Sequence, residues 1–258
     1  MGFTIKIITI SFYCWLLIVV PINAFASLAD TIEKIKPSVV GVGTLQKTRR
    51  PPAQLLGTGF VVADGRHIIT NAHVIPEELD VSKNEELAVF IGVGNEAITR
   101  TVKMIKRDRV HDLALLKMDF RMPPMQLGNV EKVREGNLYA FTGFPIGAVL
   151  GLYPVTHRGI VSTISPIVIP VDSTKTLDAA MIRRLKNPYH VFQLDATAYP
   201  GNSGSALYDA ETGEVIGVIN KVFVKETKEK VLEKPSGITY AIPVNHVKDL
   251  LKSADVNY

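Results

Sequence analysis

Three short stretches of the chain carry the residue types of acyl-transfer chemistry. Pro200-Gly201-Asn202-Ser203-Gly204-Ser205 holds a serine between glycines. Small neighbours and a freely shaped backbone let such a hydroxyl reach a carbonyl while two backbone N–H groups point into one small volume, as an acyl-transfer nucleophile requires. A glycine-flanked serine is also an ordinary turn, so the reading depends on partners upstream. Ile68-Ile69-Thr70-Asn71-Ala72-His73-Val74 sets a histidine behind an apolar run, and Val110-His111-Asp112-Leu113-Ala114-Leu115-Leu116 sets an acid at the mouth of another. A carboxylate has little reason to stand there unless something pairs with it. Histidine, then aspartate, then serine is one of several chain orders in which a base, its orienting acid and a nucleophile meet.

In that chemistry Ser203 attacks a carbonyl while His73 takes its proton, a task that suits a side chain whose ordinary pKa is about 6.5. Asp112 holds the other ring nitrogen, and the N–H groups of Gly201 and Ser203 receive the oxyanion. No metal and no organic cofactor is needed. The remaining histidines lack the Cys/His or His-Glu-x-x-His spacing of a zinc site.

These three stretches need a scaffold that brings them together, and the composition suits one. The chain has 258 residues, 47% hydrophobic and 21% charged, with 19 glycines and 15 prolines between short runs rich in valine, isoleucine and threonine. That pattern predicts many strands joined by turns, over one large domain or two small ones. The net charge of +4 is mild and its cations are dispersed, which argues against nucleic-acid binding. Strands are expected over Val39–Gln46, Phe60–Ala63, His67–Thr70, Leu87–Val93 and Ala97–Ile105. A second run follows over Leu138–Gly143, Tyr153–Ile164, Val191–Asp195, Ser205–Tyr208, Val215–Val222 and Ile238–Ile242. Lys47–Gln54, with Pro51 and Pro52, is expected to stay unpaired. Leu28, Ile32 and Ile35 predict a short helix over Ser27–Lys36, and Val244, Val247, Leu250 and Leu251 share one face of a terminal helix over Val244–Lys252.

The first 26 residues read as a targeting segment. Lys6 is followed by an apolar run of about 14 residues, Ile7 to Val20, and Ala24-Phe25-Ala26 fits the small-x-small rule for cleavage before Ser27. The run is short of the roughly 20 residues a membrane span needs, and Pro21 and Asn23 interrupt its extension, so no stable membrane anchor is expected after processing. The only cysteine, Cys14, lies inside this segment.

From about Ile35 to about Leu251 the sequence resembles the trypsin-like serine proteases of the high-temperature-requirement A (HtrA/Deg) family. Beside the three reactive stretches, the matching motifs are Gly57-Thr58-Gly59-Phe60-Val61-Val62, Thr142-Gly143-Phe144-Pro145-Ile146-Gly147, Gly159-Ile160-Val161-Ser162 and Tyr240-Ala241-Ile242-Pro243. Phe144 and Tyr199 stand where that family usually has asparagine, and Ser205-Ala206 replaces its usual Gly-Pro. The last change is similar to the exported glutamyl endopeptidases of the same fold. The resemblance implies an all-β fold, a chymotrypsin/trypsin-like double antiparallel β-barrel of six strands each, with short N-terminal and C-terminal helices. Residues 27–134 would form the first barrel with His73 and Asp112, and residues 135–258 the second with Ser203 and the C-terminal helix. It further implies an exported serine endopeptidase, in the bacterial periplasm or secreted, acting on unfolded or damaged polypeptides, in a family whose members often form homotrimers. Only a short tail follows Pro243, where most members carry a PDZ domain. A catalytically silent binding or chaperone module on the same fold is the alternative, since fold alone never establishes activity.

The same resemblance assigns Thr197, Ala198 and Tyr199 to one wall of the primary specificity pocket, and Ile219, Asn220 and Lys221 to the strand that pairs with the substrate backbone. Thr197 stands six residues before Ser203, where preference for basic residues would want an aspartate, so a small or medium apolar residue is expected at the cleaved bond. Pro166 to His190 is long beside ordinary loops of about 4–6 residues. Leu177, Ala180, Met181 and Leu185 share a helical face, with Arg183, Arg184 and Lys186 at a favourable C-terminus, which predicts a helix over Thr176–Lys186. The corresponding family loop resembles a sensor that orders the oxyanion segment.

Overall fold

The computed structural model describes residues 27–92, 94–145, 151–167, 179–220 and 237–258. The targeting segment, Ile146 and Gly147 of the second-half turn motif, Leu177 and Lys221 lie outside the described residues.

The chain opens with α1 (Leu28–Ile35), started by a reciprocal cap in which the Ser27 hydroxyl accepts from Asp30 N–H while the Asp30 carboxylate accepts from Ser27 N–H. Such caps satisfy two of the donors a helix start leaves unpaired. The first half then lays down β1 (Val39–Leu45), β2 (Ala53–Val62), β3 (His67–Thr70), β4 (Glu86–Ile91), β5 (Ile98–Thr101), β6 (Lys103–Asp108) and β7 (Leu113–Lys117). They form one seven-stranded sheet in the order β5-β4-β1-β2-β3-β7-β6. Its two outermost strands, β5 and β6, follow each other directly through Val102, so the sheet is curled until its edges meet in the chain. Where a six-stranded barrel was expected, seven strands occur because the run over Ala97–Ile105 is interrupted at Val102, whose N–H turns to the Leu87 carbonyl. Pairing also reaches further back than the prolines suggested, since Ala53 and Gln54 open β2 opposite Leu45 and Thr44.

The second half contains β8 (Leu138–Gly143), β9 (Val155–Pro166), α2 (Ala179–Lys186), β10 (His190–Asp195), β11 (Ala206–Asp209), β12 (Val215–Asn220), β13 (Ile238–Pro243) and α3 (Val244–Lys252). Its six strands close a barrel in the order β10-β13-β12-β11-β8-β9. The fold is all-β with few helices, as expected. Among the described residues no helix is long and apolar enough to cross a membrane.

Alternation along the strands produces three apolar cores. One fills the first half with Val40, Val42, Val61, Ile68 and Leu116, and another fills the closed barrel with Phe141, Val161, Leu194 and Ile219. The third lies between the halves and joins Phe60 and Ile69 to Phe144, Tyr208 and Val218, with α1 and α3 sealing it through Ile35, Val247 and Leu251. Burial at this seam fixes how the two halves face each other. Leu251 is fully buried there, so Leu251→Ala is expected to lower the free energy of unfolding by about 2–5 kcal/mol. Urea titration checks this, and a loss under about 1 kcal/mol would show that α3 does not anchor the seam.

Candidate active site

β3 and β7 pair antiparallel, Thr70 opposite Ala114, so the end of β3 lies beside the start of β7. Past Thr70 the chain makes a single 3-10 turn over Ala72–Val74 that lifts His73 out of the sheet. Asp112, just ahead of β7, takes a left-handed backbone at φ 53°, unfavourable for a residue with a Cβ. That conformation is held on all sides. The Asp112 carbonyl accepts from Asn71 Nδ2 at 3.0 Å and from Ala72 N–H at 3.1 Å. Its carboxylate accepts from His73 N–H at 2.9 Å and from His73 Nδ1 at 2.7 Å. A carboxylate only accepts, so the Nδ1 nitrogen carries the proton and the other ring nitrogen is left as a base. The His73 side chain is 34% exposed and that of Asp112 10%, an imidazole at the surface oriented by an acid beneath it.

The second half supplies a further donor. Asn220 Nδ2, at the end of β12, reaches Asp112 Oδ2 at 2.7 Å. The resemblance assigns Asn220 to the substrate strand by its backbone; its side chain bonds the carboxylate, and the Ile219 side chain is buried in the barrel core. A polar residue ending the apolar run Val215–Ile219 was the available signal.

The serine loop docks on β2. Thr58 N–H donates to the Ser203 carbonyl at 2.9 Å, and Thr58 Oγ1 donates to the Gly201 carbonyl at 2.7 Å while accepting from Phe144 N–H at 3.0 Å. Thr58 O in turn accepts from Thr70 Oγ1 at 2.7 Å. A fully buried threonine thus ties the serine loop to both the histidine strand and the β8 turn, a role read from sequence only as part of a glycine-rich motif. Gly201 and Gly204 have φ of 100° and 88°, and a Cβ on Gly204 would run into the Thr58 carbonyl. Only glycine meets both demands.

Among the described residues the N–H groups of Gly201 and Ser203 have no intramolecular acceptor, whereas those of Asn202, Gly204 and Ser205 are bonded to Tyr199, Ile219 and Asn202 carbonyls. Two free donors flanking one serine can take up a developing negative charge. No hydrogen bond among the described residues joins His73 to Ser203, although Ser203 is held against the Gly57–Thr58 strand and Gly204 against the Asn71 turn. Such contacts often tighten only when substrate binds.

Of the expected pocket wall, Ala198 is buried and pinned by its N–H to Thr239 Oγ1 at 3.0 Å. Thr197 and Tyr199 are partly exposed, and the Tyr199 ring lies 6.0 Å from that of His157. The expected helix appears as α2 over Ala179–Lys186. Its observed tie is polar: Arg184 donates from Nε to the Val110 carbonyl at 2.5 Å and from its guanidinium end to the Arg109 carbonyl at 2.6 Å. Among the described residues no group of three or more His, Cys, Asp or Glu is placed to hold a metal.

The Trypsin-like peptidase domain family matches residues 57–218, which hold Thr58, His73, Asp112 and Ser203 and stop short of Asn220. The chain belongs to the trypsin-like peptidase family. Among its relatives, Serine protease HTRA1A of Danio rerio is 31% identical over 230 residues, covering 87% of this chain and 40% of that protein. A probable periplasmic serine endoprotease, DegP-like, of Pseudomonas putida is 29% identical over 205 residues, covering 78% of this chain and 35% of that protein. The chain therefore spans well under half the length of these curated relatives. In fold it is similar to the HtrA-type protease AlgW with tripeptide, at TM-score 0.62 and 24% identity, covering 88% of this chain and 63% of that one. The serine endoprotease from Yersinia pestis gives TM-score 0.61 at 23% identity, covering 89% of this chain and 66% of that one.

Two substitutions in this trypsin-like site test its supports. Thr58→Val keeps the shape but strips the bonds to Gly201 and Phe144, and Asn220→Ala strips one donor from a buried carboxylate. Each is expected to cost about 1–3 kcal/mol, read as a fall of roughly 5- to 150-fold in kcat/KM on a peptide substrate with the fold retained by circular dichroism. Wild-type turnover in either variant would remove that residue from the account.

Proposed function

We propose that this chain is the protease unit of an exported serine endopeptidase. The observation that carries the reading is the Asp112 carboxylate on His73 Nδ1 at 2.7 Å, together with a serine loop in which, among the described residues, the N–H groups of Gly201 and Ser203 have no acceptor. Ser203 Oγ attacks the scissile carbonyl as its proton passes to the free nitrogen of His73. Asp112 stabilises the imidazolium that forms, and the N–H groups of Gly201 and Ser203 hold the oxyanion. His73 then returns the proton to the leaving amine, and water releases the acyl group by the same steps in reverse. Residues 27–134 carry the base and its acid, and residues 135–258 the nucleophile.

The substrates are polypeptides, unfolded or damaged ones in particular, and the compartment is the periplasm or the exterior. The apolar run of the first 26 residues and the DegP-like relatives named periplasmic support export. Cleavage of the targeting segment before Ser27, a homotrimeric assembly and substrate pairing along Ile219–Lys221 belong to the same proposal. At the cleaved bond the reading selects small or medium apolar residues, because Thr197 offers no charge. Profiling on a peptide library checks this, and dominant cleavage after Arg, Lys or Glu would reject it.

The second reading, a silent binding module, is separated by casein hydrolysis. Ser203→Ala and His73→Ala are expected to abolish turnover with folding retained, and Asp112→Asn to cut it by about 10⁴-fold because the imidazole then holds the wrong tautomer. Residual activity above about a tenth in any of the three would mean that residue is wrongly assigned, and a folded but inert wild type would favour the binding module.

A further inference from the structure

Asp112 is preceded directly by His111, whose ring belongs to a cluster that the chemistry above does not use. Its Nδ1 lies 2.6 Å from Asp108 Oδ2. The His246 ring, in the first turn of α3, stacks on it with centroids 4.0 Å apart and planes at 18°. Tyr189, next to the start of β10, meets both edge-on, at 4.8 Å from His111 and 5.0 Å from His246. Two rings from distant parts of the chain, His246 and Tyr189, thus close on the residue that leads into Asp112.

Resting on the reading of Asp112 as the acid that orients His73, we propose that the His111–His246 stack, edged by Tyr189, positions Asp112, with His246 as its anchor on the C-terminal helix. Asp112 has φ 53°, a conformation that persists only when its surroundings over-determine it. On its C-terminal side β7 pairing fixes the chain. On its N-terminal side the strand β6 has ended, and the peptide entering Asp112 is held by what grips His111. That grip consists of the Asp108 carboxylate, which also accepts from Val110 N–H at 2.9 Å and His111 N–H at 3.1 Å, and of the two rings. Rotation of the 111–112 peptide would swing the Asp112 carboxylate off Nδ1, and displacements near 1 Å cost such geometry about 10²-fold.

The charges around the stack fit a ring held neutral. From the β6–β7 segment His246 faces Asp108 and His111, and from its own helix Asp249. Behind Tyr189 stand Arg184, Asp112 and Asp108. Burial first, and then the neighbouring His111, push His246 down to about 4. In Asp108 burial acts upward but is outweighed by the side-chain and backbone bonds from His111, which leave the acid below its usual range. The unfolded chain protonates His246 near 6.5 and the folded chain near 4. The neutral His246 ring therefore contributes in full above pH 6.5, and its contribution is lost as pH falls towards 4.

The test pairs His246→Ala with His246→Phe, which restores a stacking ring that cannot be protonated, and reads both turnover and the proton NMR resonance of His73 Nδ1–H. His246→Ala is expected to lower kcat/KM about tenfold with KM unchanged and to broaden the resonance or shift it upfield, while His246→Phe restores both. The melting temperature of His246→Phe is expected to fall less than that of wild type between pH 7 and pH 4.5. Should His246→Ala fail to fold, Tyr189→Leu, which removes only the edge, is expected to give the same change in the resonance. A wild-type resonance and turnover in His246→Ala, or a Phe variant as impaired as the Ala variant, would overturn the proposal. The resonance reports Asp112 on His73 without turnover, so a wild type that hydrolyses nothing but responds this way would refute the protease reading and leave the positioning role standing.

Discussion

A carboxylate with few routes to water lies at the centre of this molecule. Taking the Asp112 charge out of solvent is tolerable only because three donors reach it, two from His73 and one from Asn220. Buried charges without such partners cost several kcal/mol. Two of the donors come from the first half and one from the second, so the charge is satisfied only when the halves are docked. The apolar seam of Phe60, Phe144, Tyr208, Val218 and Leu251 supplies the attraction, and the carboxylate fixes the register at which that attraction is realised.

Thr58 does the same for the serine loop. Its N–H and hydroxyl grip the carbonyls of Ser203 and Gly201, and among the described residues the N–H groups of Gly201 and Ser203 are left without an acceptor. The left-handed glycines make this shape accessible, and the Thr58 carbonyl fills the space where a Cβ at Gly204 would be. His73 and Ser203 are thereby carried by different halves, and the alignment of the two depends on packing remote from either.

Much of this was legible in the residues. The strands alternate as their valine and isoleucine runs imply, β3, β8 and α3 occupy the expected spans, and the trypsin-like family was readable from motifs around His73, Asp112 and Ser203. What stayed hidden was of two kinds. Strand interruption at Val102 depends on curvature of the whole sheet, which no local pattern carries. The roles of Thr58, Asn220 and the rings of His111, Tyr189 and His246 arise from contacts between residues far apart in the chain. Asn220 meets Asp112 across 108 positions, and strand pattern reports backbone course and not what a side chain touches.

The central claim is that packing between the halves makes Ser203 an activated nucleophile. Mass mapping after exposure to a fluorophosphonate tests it most directly, because the reagent reports nucleophilicity without a choice of peptide substrate. The account predicts one adduct, on Ser203, formed by the folded protein and lost when urea separates the halves. No adduct on Ser203 in the folded chain, or equal labelling of the folded and unfolded chains, would contradict it.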